Sequence, residues 1–96
     1  MNIKEKSFRV ERFSDRVETA ILIFSLNDIL IEGAMEIFNR KKTGRWLNMH
    51  IQDGSPVGFR FSVEEKKDEI FPDLEFSKFE RKIRDLMWDK YERKAC

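Results

Sequence analysis

One cysteine and one histidine in 96 residues leave no material for a disulfide framework, a Cys/His zinc site or a Cys–His catalytic pair. The cysteine, Cys96, has no partner in the chain. It is expected to be an inert thiol in a reducing compartment. The histidine, His50, stands alone on a strand-like segment, where a core or boundary imidazole is far commoner than a ligand. No apolar run approaches the roughly 18–20 residues that span a bilayer, and the opening MNIKEKSF has no apolar core of a signal peptide. The expectation is a cytoplasmic protein with no membrane partner. Glu64, Glu65, Asp68 and Glu69 lack the alternating ligands and turn glycine of a calcium loop. No cofactor, no metal and no enzymatic activity are expected, because nothing joins a nucleophile to a base.

What the chain does have is apolar and aromatic content. Nine Phe and two Trp within a 41% hydrophobic composition exclude disorder, despite 39% charged residues. The length makes one domain, residues 1–96. A domain of this size buries only about 60–65% of its unfolded surface, so a homodimer that buries more is expected. Net charge is +1, but the charge is unevenly placed. Residues 39–60 carry five Lys and Arg against one acid, residues 61–76 two against six, and residues 77–96 seven against four.

Ser7–Phe13 alternates Phe8, Val10 and Arg12 against Arg9, Glu11 and Phe13, an edge strand guarded by charge. Val17–Leu26 is apolar on both faces and reads as a central strand. Ile29–Phe38 has one wetter face, with Leu30, Glu32, Ala34, Glu36 and Phe38. Between these two, Asn27-Asp28 supplies residues that tolerate positive φ in a two-residue hairpin. Arg45–Ile51 follows as the next strand, Asp53-Gly54-Ser55-Pro56 breaks it, and Gly58–Val63 resumes a shorter one. Glu64–Glu69 reads as a solvated loop, and Phe71-Pro72 ends any helix before it.

Ser77-Lys78-Phe79-Glu80 fits a capping box and predicts a helix starting at Ser77. Phe79, Ile83, Leu86, Met87 and Tyr91 form its apolar stripe. Lys78, Arg81, Lys82, Asp85, Asp89, Glu92 and Arg93 form the opposite face, where Arg81–Asp85 and Asp89–Arg93 are i,i+4 pairs. Trp88 falls at the boundary, as core or as a partner contact. The fold expected is α+β: an antiparallel β-meander of four to five strands with one C-terminal amphipathic helix packed on the sheet.

This order of elements resembles the SpoVG family of bacterial septation regulators. The stretches that carry the resemblance are Ala20-Ile21-Leu22-Ile23, Ile29-Leu30-Ile31-Glu32-Gly33, Gly44-Arg45-Trp46-Leu47-Asn48-Met49, and Lys82-Ile83-Arg84-Asp85-Leu86-Met87 through Tyr91. The chain departs from the family where Met49-His50-Ile51-Gln52-Asp53 stands in place of a Met-Pro-Ser segment and its basic pair. The resemblance implies a SpoVG-like α+β domain that dimerises and binds DNA or RNA.

The residues also point to nucleic acid. Arg40, Lys41, Lys42 and Arg45 place four cations in six residues with no acid, beside the Trp46 indole. Such a turn neutralises phosphates, and the indole stacks on a base. Together with Lys78, Arg81 and Lys82 on the helix, these are the candidate nucleic-acid-binding residues. The plainer reading of the turn is a solubilising hairpin tip that blocks edge pairing. The alternative function is a protein-interaction module or phage-type inhibitor, with the acidic run and Trp88 meeting a protein partner.

Overall fold

Five antiparallel strands pair in the order of the chain: β1 (Ile3–Arg12), β2 (Val17–Leu26), β3 (Ile29–Phe38), β4 (Leu47–Gln52) and β5 (Arg60–Ser62). Two helices follow, α1 (Val63–Ile70) and α2 (Phe76–Ala95). The computed structural model describes residues 2–41, 47–52 and 60–95. The fold is therefore α+β, a β-meander with the C-terminal helix packed on it. The Asp53-Gly54-Ser55-Pro56 break, the Gly58-Phe59 start of the last strand and Cys96 lie outside the described residues.

Alternation along β2 sorts the sheet into two faces. Ala20, Leu22, Phe24 and Leu26 point toward the helices and are almost fully buried, joined there by Ile31, Met35 and Ile37 of β3 and Leu47, Met49 and Ile51 of β4. α2 seats Phe79, Ile83, Met87 and Tyr91 on this layer, and the Phe79 ring meets Phe24 edge-on at 6.1 Å. Gly33 lies beneath the helix, where even a Cβ would stand in ordinary contact with it, 3.4 Å from Met87 Sδ and 3.7 Å from Ile83 Cγ2. Leu86 and Trp88 flank the stripe as half-buried residues, and Trp88 packs 5.3 Å from the Tyr91 ring. Trp88 is thus boundary core.

The β2–β3 connection is the expected hairpin. Asn27 and Asp28 adopt φ of 51° and 64°, the pair of left-handed residues that a type I′ turn needs to match the strand twist. Three elements differ from the pattern-based expectation. β1 begins at Ile3 rather than Ser7, because a bulge between Glu5 and Ser7 lets the charged N-terminal segment rejoin the ladder opposite Phe24 and Leu26. Glu5 is held there by an ion pair with Lys90. The run Glu64–Glu69 is helix α1, not loop. Val63 is fully buried at its start, Ile70 packs on the core at its end, and Glu64 and Glu65 favour the positive end of the helix dipole.

The third difference is the start of α2. Phe79 N–H donates to the Glu75 carbonyl at 3.1 Å, so the helix begins at Phe76 and Ser77 lies inside the first turn instead of capping it. The earlier start packs Phe76 against the core while Lys67 Nζ lies 5.6 Å over its ring. That packing outweighs a cap bond, which is typically worth about 1 kcal/mol. β4 is described from Leu47, the expected residues 45 and 46 lying outside the described part. Val63 belongs to α1 rather than to the last strand.

Candidate nucleic-acid interface

The end of the sheet where β1 and β3 finish and β2 begins gathers side chains that are far apart in sequence. The β1–β2 connection is a tight loop: the Ser14 hydroxyl oxygen accepts the N–H groups of Arg16 and Val17, each at 3.2 Å. Its Arg16 carbonyl then accepts the Asn39 N–H at 2.7 Å, which ties this loop to the end of β3. Beyond Phe38 the chain reverses through Asn39 and Arg40, at φ 53° and 57°, and Lys41 N–H donates back to the Phe38 carbonyl at 3.1 Å. This is a second type I′ geometry, here with an arginine in the left-handed region. Arginine has no special tolerance for that region, so the turn is mildly strained at a cationic residue.

Behind the turn stands a polar contact that orders it. The Tyr91 hydroxyl donates to Glu18 Oε1 at 2.6 Å, and Arg40 Nε lies 3.9 Å from the same oxygen. Arg12 is the cross-strand partner of Glu18. Lys94 joins Val10, Glu18 and Tyr91 around a small cleft and rests its Nζ 5.9 Å over the Phe8 ring. Burial pushes the Tyr91 hydroxyl up from its ordinary 10.0 to about 12, aided by its hydrogen bond to Glu18 and by the negative charge of that carboxylate. Arg40 and Arg12 pull it the other way. The phenol is therefore neutral throughout the physiological range and serves as a donor that holds Glu18, which in turn faces Arg40.

Of the sequence-derived candidates, Arg40 and Lys41 are exposed at this end, and Lys42, Arg45 and Trp46 lie outside the described residues. Lys78, Arg81 and Lys82 are exposed on the first half of α2. At about 1.5 Å rise per residue they stand roughly 14–20 Å along the helix from Tyr91, apart from Arg40 and Lys41. Lys78 is also paired with Glu75 at 3.2 Å. Asp89–Arg93 forms as an i,i+4 pair at 3.1 Å, and Glu80–Arg84 forms another at 3.2 Å. The cations that do join Arg40 and Lys41 are Arg12, Arg16 and Lys94, all exposed. Sequence reasoning passed over them because Arg12 and Arg16 sit singly beside acids and Lys94 follows Arg93 at the end of the helix. The only local signal was the alternation that sets Arg12 on the helix side of β1.

The opposite face of the sheet has no helix on it among the described residues. Its centre is Ile21, Ile23 and Ala34, with Glu32, His50 and Gln52 to one side. His50 is half-buried opposite Glu32, whose carboxylate accepts from Gln52 Nε2 at 2.8 Å. Among the described residues, no three His, Cys, Asp or Glu side chains converge as metal ligands, and no helix is long and apolar enough to cross a membrane. No protein-family model, curated protein or solved structure matches this chain.

Proposed function

We propose that the protein is a small cytoplasmic nucleic-acid-binding regulator of the kind its resemblance to the SpoVG family implies, gripping DNA or RNA phosphates with the cations at the open end of its sheet. The observation that carries this reading is the Asn39–Arg16 hydrogen bond together with the Tyr91–Glu18–Arg40 contact. These tie together the β1–β2 loop, the turn after β3 and α2, so that Arg12, Arg16, Arg40, Lys41 and Lys94, from β1 and those three segments, stand at one end of the sheet. Lys42, Arg45 and Trp46 follow Lys41 in sequence and extend the same segment. Guanidinium and ammonium groups held in this way neutralise phosphates and release counterions, which makes binding independent of sequence and sensitive to salt. Lys78, Arg81 and Lys82 form a separate contact on longer ligands.

The protein acts as a homodimer in this reading, through sheet packing rather than edge pairing. The β1 edge is bulged and charged, whereas the helix-free face is apolar at its centre. Anisotropy titrations against duplex DNA, single-stranded DNA and RNA at two salt concentrations test the function. The expected result is affinity at low salt that falls steeply with added salt. A wild-type protein without affinity for any of the three would reject it. The interaction-module reading would then lead, on the strength of α1, which exposes Glu64, Glu65, Asp68 and Glu69 on one short helix.

A further inference from the structure

Two of the large apolar side chains that this fold leaves exposed stand in a single cross-strand row beside the cationic end. Phe38 is the register partner of Val17, and Phe13 donates its N–H to the Val17 carbonyl at 3.0 Å. Val17 and Phe38 occupy the helix-free face on β2 and β3, as Arg9 and Glu11 do on β1. Phe13 stands one residue beyond the last residue of β1, Arg12, and its bond to Val17 extends the ladder by one pair. Phe13 is 71% exposed and Phe38 45%. A single exposed phenylalanine needs no explanation. Two of them flanking a valine, with Arg16, Arg40 and Lys41 at the adjacent turns, combine stacking surfaces with phosphate contacts.

We infer that Phe13 and Phe38 form a base-stacking platform, and that the ligand class of this site is single-stranded nucleic acid rather than duplex. The inference rests on the nucleic-acid reading above and specifies it. The two rings are two strand spacings apart, about 10 Å. Bases in one strand of a duplex repeat at about 3.4 Å and present their edges, not their faces. Rings so spaced on a rigid sheet take only bases drawn out of a helical stack, and every base has a π-face to offer. Acids set the direction of the strand. Glu11 and Glu36 occupy the next row inward, across Thr19, whereas Asp15, in the β1–β2 loop on the outer side, is outnumbered there by Arg16, Arg40 and Lys41. Arg9 Nε neutralises Glu11 at 3.0 Å, and Glu36 remains exposed. The phosphates therefore run on the outer side of the row, along Arg16, Arg40 and Lys41, away from Glu36. The row stands about 13 Å along β2 from Ile21 and about 20 Å from Ile23, at the margin of the apolar centre assigned to the dimer contact.

The test compares Phe13→Ala, Phe38→Ala and the paired Phe13→Leu and Phe38→Leu variants with wild type, by anisotropy on a labelled oligothymidylate and on a duplex of the same length. Leucine keeps the apolar bulk and removes the ring, so it reads stacking even if alanine disturbs the turns. Each variant is expected to weaken single-strand binding about 5- to 150-fold, the range that one base–aromatic stack spans. The salt slope and the duplex affinity should not change. Single-strand affinities within twofold of wild type for both positions would overturn the platform while leaving phosphate binding standing. A loss of affinity that tracks a fall in light-scattering mass would also overturn it, by assigning the row to the dimer contact. Wild type that binds neither probe would reject the nucleic-acid reading itself.

Discussion

The two faces of this sheet are built from the same strands by the same alternation, yet they end in opposite states. On the helix side, Ala20, Leu22, Phe24 and Leu26 are sealed under Phe79, Ile83 and Met87. On the other, Ile21 and Ser25 are buried, but Val17, Thr19, Ile23 and Ala34 are only half-buried and Phe38 is exposed. Burial on the first face holds the fold together. The second keeps apolar and aromatic surface that the core does not require, and that surplus is the surface to which the proposed contacts are assigned. Apolar alternation in a strand identifies both faces without distinguishing core from interface.

Substitutions on the two faces should therefore separate cleanly. Phe79→Ala removes a fully buried ring from the covered face and should cost about 3–5 kcal/mol in denaturant unfolding. A loss below about 1 kcal/mol would mean that α2 is not the lid of this core. Tyr91→Phe deletes the hydroxyl that donates to Glu18 and should cost about 1.5 kcal/mol, a hydrogen bond to a charged group being worth more than a neutral one.

The same contact sets a pH dependence. Tyr91 holds its proton more tightly folded, near 12, than unfolded, near 10.0. Its contribution is complete below about pH 10 and is lost as pH rises from 10 to 12. Because Tyr91 is the one tyrosine of the chain, tyrosinate absorbance follows it directly, and wild type should lose stability across that window more steeply than Tyr91→Phe.

Arg40→Gly is expected to move stability the other way, by up to about 1 kcal/mol, since glycine adopts φ of 57° without strain and an exposed ion pair at 3.9 Å contributes little. Nucleic-acid affinity should fall in the same variant, and a gain in both would show that the strained arginine serves nothing at this turn. Smallest of all, Phe13→Ala and Phe38→Ala should each change stability by less than about 0.5 kcal/mol. A cost near that of Phe79→Ala would erase the distinction between the faces.

Much of the covered face was legible in the sequence. β2 and β3 follow from uninterrupted alternation, their turn from two residues that accept positive φ, and the α2 stripe from helical spacing. α1 was not legible, because only Val63 and Ile70 anchor it and the charges between them carry no period. The Ser77 capping box misplaced the start of α2, since the packing of Phe76 decides it. At the cationic end, Arg40 and Lys41 stood out as a charge run. Glu18 and Tyr91 are 73 residues apart and meet only through the docking of α2, so nothing local marks them. Phe38 was placed on its face by alternation, whereas Phe13 falls one residue beyond β1 and its place in the row depends on the bond to Val17 and on the β2–β3 register.

The claim that the open end of the sheet grips phosphates is tested most directly by the salt dependence of binding. With Arg16, Arg40 and Lys41 changed together to Ala, the slope of log affinity against log salt on single strands should flatten by about 2, near 0.7 for each lost phosphate contact. Lys78, Arg81 and Lys82 changed together should leave the slope on a short oligonucleotide where it is in wild type. An unaltered slope in the first variant, or a flattening in the second alone, would contradict the account and move the interface to the helix.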